Sequence, residues 1–141
     1  MGVVILIVED EPSNRKLFRD ILESRQYAVI AAVDGRQAVE LAVTRKPDLI
    51  LMDIGLPGAN GLDATRILKA NSATRAIPIL GLTAYAMKED EEKAIRAGCD
   101  GFVAKPVEIG ELIEQVARHF PGSRLDTSAR QQAKLSVTGR P

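Results

Sequence analysis

Six consecutive apolar residues, Val3-Val4-Ile5-Leu6-Ile7-Val8, stop abruptly at Glu9-Asp10-Glu11. A strand with one wet face alternates apolar and polar residues, whereas an unbroken and mostly β-branched run marks a strand covered on both faces. Such strands belong to parallel sheets, whose crossover connections are usually helices. The following segment supplies one: Pro12 suits a first helical turn, and Leu17, Phe18, Ile21 and Leu22 recur at helical spacing. The alternation then repeats. Ala28 to Val33 reads as a second strand, and Asp34, with Gln37 three residues on, opens a second helix. Leu49 to Met52 and Ile77 to Leu82 read as strands around a helix from about Gly61. Met87 to Gly98 predicts a fourth helix with a thin stripe, Met87, Ala94, Ile95 and Ala97 among many charges, so weak anchoring is expected there. Gly101-Phe102-Val103-Ala104 makes a short fifth strand, and Ile109, Leu112, Ile113, Val116, Ala117 and Phe120 form a strong final stripe. Five strands each followed by a helix predict an α/β fold, a doubly wound five-stranded parallel sheet with five helices.

The chain has 141 residues, enough for one core, and residues 1–121 are expected to form it. Residues 122–141 are rich in Ser, Thr, Gln, Arg and Gly, with Leu125, Leu135 and Val137 too scattered to define a buried face, and read as a flexible tail. Lys plus Arg and Asp plus Glu both number 19, so no charge excess recruits nucleic acid or an anionic membrane. The apolar run Val3 to Val8 is too short for a signal peptide or a membrane span. Cys99 has no internal partner, which suits a reducing cytoplasm, and it reads as an inert packed thiol.

In an open parallel sheet the ligand crevice lies beyond the carboxyl ends of the strands. The residues there are polar: Glu9 and Asp10 after the first strand, Asp53 after the third, Thr83 after the fourth and Lys105 after the fifth. Three carboxylates sharing a crevice repel one another, so a cation is expected among them. An open, oxygen-only cluster suits magnesium, which keeps several waters beside one or two carboxylates. Asp53 would serve as a ligand and as an aspartyl nucleophile of the kind that forms acyl phosphates. Lys105 supplies a point charge, Thr83 a hydroxyl donor, and Ala84 leaves room for a phosphoryl group, as phosphoryl transfer requires.

Val8-Glu9-Asp10-Glu11-Pro12, Leu51-Met52-Asp53-Ile54-Gly55-Leu56-Pro57, Leu82-Thr83-Ala84 and Ala104-Lys105-Pro106, in order over roughly Val3 to Phe120, resemble the successive motifs of CheY-like response-regulator receiver domains. Among them the chain is similar to the single-domain, DivK-like kind. The resemblance implies a flavodoxin-like strand order, 2-1-3-4-5. It implies that Asp53 takes phosphate from a histidine kinase or a histidine phosphotransfer protein. Asp10, Asp53 and the carbonyl of Gly55 would bind Mg2+, with Glu9 assisting through water. Thr83, Ala84 and Lys105 would stabilise the phosphoryl group. Thr83 and Phe102 would form the switch pair that reshapes the face of the fourth helix, fifth strand and fifth helix for a downstream protein target, and that face would also serve a homodimer. Lys105-Pro106 would be a cis peptide, and Tyr85 would shield the phosphoryl group from water. The expected activity is a signalling phosphoacceptor that catalyses only its own phosphorylation and dephosphorylation, cytoplasmic, with no direct contact to nucleic acid or membrane.

Two alternatives compete. A magnesium-dependent phosphatase of the haloacid-dehalogenase-like kind would use Asp53 but needs a second aspartate where Gly55 stands. A flavin carrier would need a phosphate loop free of the charges of Glu9-Asp10-Glu11. Phe102 also reads as a plain core aromatic, and His119, in the last turn of a helix where a cation is favoured, as structural.

Overall fold

The computed structural model describes residues 2–54, 61–83 and 88–120. Five strands, β1 (Val4–Val8), β2 (Ala28–Ala32), β3 (Leu49–Asp53), β4 (Ile79–Thr83) and β5 (Gly101–Ala104), alternate with α1 (Pro12–Ser24), α2 (Gly35–Arg45), α3 (Gly61–Ala70), α4 (Lys88–Ala97) and α5 (Ile109–Ala117). All strand pairs are parallel and the order is β2-β1-β3-β4-β5, so the expected doubly wound sheet is present.

The unbroken apolar run of β1 serves two cores at once. Ile5 and Ile7 pack with Phe18, Leu22, Leu51, Leu112 and Val116 on the side of α1 and α5. Leu6 and Val8 pack with Ala38, Ala42, Ile50, Met52 and Leu68 on the side of α2 and α3. Each of these four β1 side chains is fully buried, and each such burial contributes about 2 kcal/mol.

Side-chain caps turn the chain from strand ends into helices. The Glu11 carboxylate accepts from Ser13 N at 2.7 Å, with Pro12 at the first helical position of α1. Asp34 Oδ1 accepts from Gln37 N at 2.9 Å, and Gln37 Oε1 accepts in return from Val33 N at 2.8 Å, a reciprocal box at the start of α2. Glu108 Oε1 accepts from Glu111 N at 2.7 Å ahead of α5. Each such cap is worth about 1 kcal/mol.

Several expectations need correction. β4 begins at Ile79 rather than Ile77, because Ile77 N–H donates back to the Thr74 carbonyl at 3.0 Å and so closes a turn instead of joining the ladder. Val33 lies beyond β2 and is exposed. Leu17, Ile95 and Ile109, each at the spacing of an apolar stripe, are exposed as well. Among the described side chains of α4, Ala94 and Ala97 are the buried ones. α5 ends at Ala117, and Phe120 packs its ring 6.2 Å from that of Tyr27. Met87 and residues 122–141, with the tail reading they carried, lie outside the described residues. No helix among the described residues is long and apolar enough to cross a membrane.

Candidate functional site

The carboxyl edge of the sheet gathers the polar residues that follow the strands. Glu9 N–H donates to the Ala32 carbonyl at 3.0 Å, which continues the β1 ladder one residue past the apolar run and leaves the Glu9 side chain 1% exposed. Asp53, the last residue of β3, stands beside Leu82 in the sheet register and is 6% exposed. Thr83 ends β4, buried, and its carbonyl accepts from Lys105 N at 2.7 Å. The peptide between Lys105 and Pro106 is cis, as expected.

The Lys105 ammonium lies 2.8 Å from Glu9 Oε1 and 2.8 Å from Asp53 Oδ2. Asp10 is exposed, yet its carboxylate completes a triad with Glu9 and Asp53 whose ligand oxygens all lie within 4.8 Å of one another. Burial pushes the Glu9 carboxyl above its ordinary range, the Lys105 hydrogen bond pulls it back, and the charge of Asp53 adds to the rise. Burial alone would weaken the Lys105 ammonium, but its bonds to Asp53 and Glu9 prevail and raise its pKa. Among the described residues Lys105 thus pairs with two of the three carboxylates. The remaining charge suits a hard divalent ion, because the donor set is oxygen only and part of it is open to water.

Sequence reasoning missed Arg15. Its guanidinium donates to the Glu9 carbonyl at 2.9 Å and the Asp10 carbonyl at 3.0 Å, holding the backbone that carries two of the carboxylates. An arginine that serves main-chain carbonyls has no partner residue type to betray it. Glu11 N–H, which donates to Glu9 Oε2 at 3.3 Å, adds a further restraint.

The structure brings Glu9, Asp10, Asp53 and Lys105 together, with Thr83 on the neighbouring strand end. Gly55, Ala84 and Tyr85 lie outside the described residues. Phe102 is half-buried, whereas Val103 enters the core under α1 and α5. Cys99 is mostly buried, and burial pushes its thiol up to about 11, which agrees with an inert packed group. His119 departs from expectation. It follows α5 rather than lying in its last turn, and burial lowers its pKa, helped by Arg118 and Lys69 and opposed by Asp100, so the neutral ring is favoured there.

Comparison with known proteins agrees with this geometry. Residues 5–117 match the response regulator receiver domain family. The polar-differentiation response regulator DivK of Brucella anthropi is 44% identical over 116 residues, covering 82% of this chain and 94% of that protein. The receiver domain of the sensor histidine kinase PA1611 from Pseudomonas aeruginosa PAO1, solved with a magnesium ion coordinated in its active site cleft, is 40% identical with a TM-score of 0.78. That match covers 84% of this chain and 97% of the other. The chemotaxis protein CheY4 of Vibrio cholerae is 27% identical with a TM-score of 0.80, over 84% of this chain and 98% of its own. The chain belongs to the response regulator receiver domain family, the signalling modules of two-component systems.

Proposed function

We propose that this chain accepts a phosphoryl group on Asp53 from the phosphohistidine of a histidine kinase or a histidine phosphotransfer protein. The phosphorus–nitrogen bond breaks as one between phosphorus and an Asp53 oxygen forms. The observation that carries the reading is the placement of the Lys105 ammonium, 2.8 Å from Asp53 within a cluster of three carboxylates. In phosphoryl transfer, catalysis is mostly positioning and neutralisation of the equatorial oxygens.

Asp10, Asp53 and the Gly55 carbonyl would hold Mg2+, with Glu9 acting through water. The ion would supply charge neutralisation. Lys105 offers its ammonium and Thr83 its hydroxyl to the phosphoryl oxygens, while Ala84 leaves room and Tyr85 screens the group from water. Thr83 and Phe102 then serve as the switch that alters the α4-β5-α5 face, where a downstream protein or a second copy of the chain docks. We assign this work to residues 1–121, with 122–141 as a tail, and to the cytoplasm, where such partners meet. Intact-mass spectrometry after incubation with acetyl phosphate and Mg2+ tests the reading. One added phosphate, absent in Asp53→Asn and absent in EDTA, is expected. Uptake by Asp53→Asn, or none by the wild type from either acetyl phosphate or a histidine kinase, would overturn it.

A further inference from the structure

α3 begins at Gly61, which is buried against the end of β3. A methyl group on its Cα would fall inside the Asp53 carbonyl oxygen and would stand 2.7 Å from Ile54 Cα and 2.9 Å from the Asp53 carbonyl carbon. These are backbone atoms. They are pinned by the sheet, since Asp53 stands in register with Leu82 and Ile54 N–H donates to the Leu82 carbonyl at 3.0 Å. On the helix side, the fully buried Thr65 donates its hydroxyl to the Gly61 carbonyl at 2.7 Å, and Ala64 and Leu68 are fixed in the core. Neither partner can step aside cheaply. The need for glycine is not conformational, because among the described glycines Gly98 alone has positive φ. Alanine would suit a helix at this position better than glycine does.

We infer that Gly61 is a positioning residue for Asp53: the first turn of α3 presses on the Asp53–Ile54 peptide and sets where the Asp53 carboxylate stands relative to Glu9, Asp10 and Lys105. The inference rests on Asp53 being the phosphoacceptor. An ordinary contact would require the helix start and the peptide to part by about 1 Å, and a shift of that size can lower a reaction rate by roughly 10²-fold. Gly110 provides a control, because the atoms nearest to a methyl there belong to the end of a side chain, the Glu108 carboxylate at 3.3 Å, and lie far from Asp53 in the chain.

The test compares wild type, Gly61→Ala and Gly110→Ala. Melting temperature, Mg2+ affinity by titration calorimetry, and phosphorylation rate over a range of acetyl phosphate concentrations are measured for each. For Gly61→Ala, a maximal rate about 10 to 100-fold lower and an Mg2+ affinity about 10-fold weaker are expected, with Gly110→Ala unchanged. A lower melting temperature with wild-type rate and Mg2+ affinity would overturn the inference, leaving Gly61 a packing residue only. If Gly61→Ala does not fold, Thr65→Val, which removes the hydroxyl clamp, replaces it. A smaller loss in the same two quantities is expected from it, and no loss would overturn the inference. A wild type that takes no phosphate from acetyl phosphate or a kinase would bring down the phosphoacceptor reading and this inference with it. A phosphorylated wild type matched by Gly61→Ala would bring down the inference alone.

Discussion

Replacing Asp10 with asparagine separates the energetic burden of the acidic cluster from its use. The ligand oxygens of Glu9, Asp10 and Asp53 lie within 4.8 Å of one another. Two unit charges at that separation repel by about 0.9 kcal/mol in water and about 3.5 kcal/mol at an effective dielectric of about 20. Asp10 is exposed, so the lower figure applies to each of its two repulsions. Lys105, 2.8 Å from both of its neighbours, offsets part of them. Among the described residues Asp10 has no cation within ion-pair distance, so asparagine relieves repulsion and breaks no pair. The Glu9 carboxyl is raised first by burial and further by the charge of Asp53. We expect Asp10→Asn to be more stable by about 1 kcal/mol in EDTA, a melting temperature higher by roughly 3 to 5 °C. In Mg2+ the order reverses. A ligand at about 100 times its Kd stabilises a protein by about 2.7 kcal/mol, and the variant forgoes most of this. Calorimetric melts of both proteins in EDTA and in saturating Mg2+ should therefore cross. A variant less stable than wild type in EDTA, or one with an undiminished Mg2+ response, would refute the reasoning.

Lys105→Met leaves Glu9 and Asp53 buried without their shared cation; with the lysine side chain 21% exposed, a loss of about 3 kcal/mol is expected in urea denaturation, and phosphorylation should slow by about 10²-fold. Lys69 donates to the Arg75 carbonyl, the Ile77 carbonyl and Asp100 Oδ2, tying α3 to the loops before β4 and β5. Lys69→Met should cost about 1 to 2 kcal/mol and speed amide exchange at Ile77 and Ile79 while leaving the phosphorylation rate unchanged. The Cys99 thiol, pushed up to about 11 by burial, should react with a pyridyl disulfide at pH 8 at least about 100-fold more slowly than free cysteine until the protein unfolds. His119 is lowered from its usual value of 6.5, chiefly by burial, so the unfolded chain binds the proton more readily. Stability from this group is full above 6.5 and is lost as pH falls through and below it, and His119→Asn should remove that part of the pH dependence in melts between pH 7.5 and 5.

The sequence made the sheet legible because two-sided burial leaves no polar residue in a central strand, and β1 and β3 are fully apolar up to the acidic residue that ends them. It made the cluster legible because strand ends in a parallel sheet share one edge. Element limits were less visible. Ile77 reads as strand by composition, but its N–H is taken by Thr74. Leu17, Ile95 and Ile109 fit their helical stripes and still face out, because periodicity identifies a helix face and not what covers its margin. The contacts of Arg15 and Gly61 with the site escaped notice for a shared reason: each is made to main-chain atoms, which every residue type offers, so no partner in the sequence marks the pairing. The cation preference expected at His119 does not hold, because burial lowers its pKa.

Crowded like charges at a sheet edge would spread the edge apart if the charges alone determined their positions. Here restraints on the backbone hold them. The ladder runs on through Glu9 N–H to Ala32 and Ile54 N–H to Leu82, Arg15 fixes the carbonyls of Glu9 and Asp10, and Gly61 lets α3 bear on the peptide behind Asp53. The carboxylates are therefore kept close at a separation they would not choose, and a cation or a change of charge on Asp53 acts on groups that are already in place. Preorganisation of this kind moves the expense of assembling the site into the folding of the sheet, so that little reorganisation would remain for the proposed phosphoryl transfer.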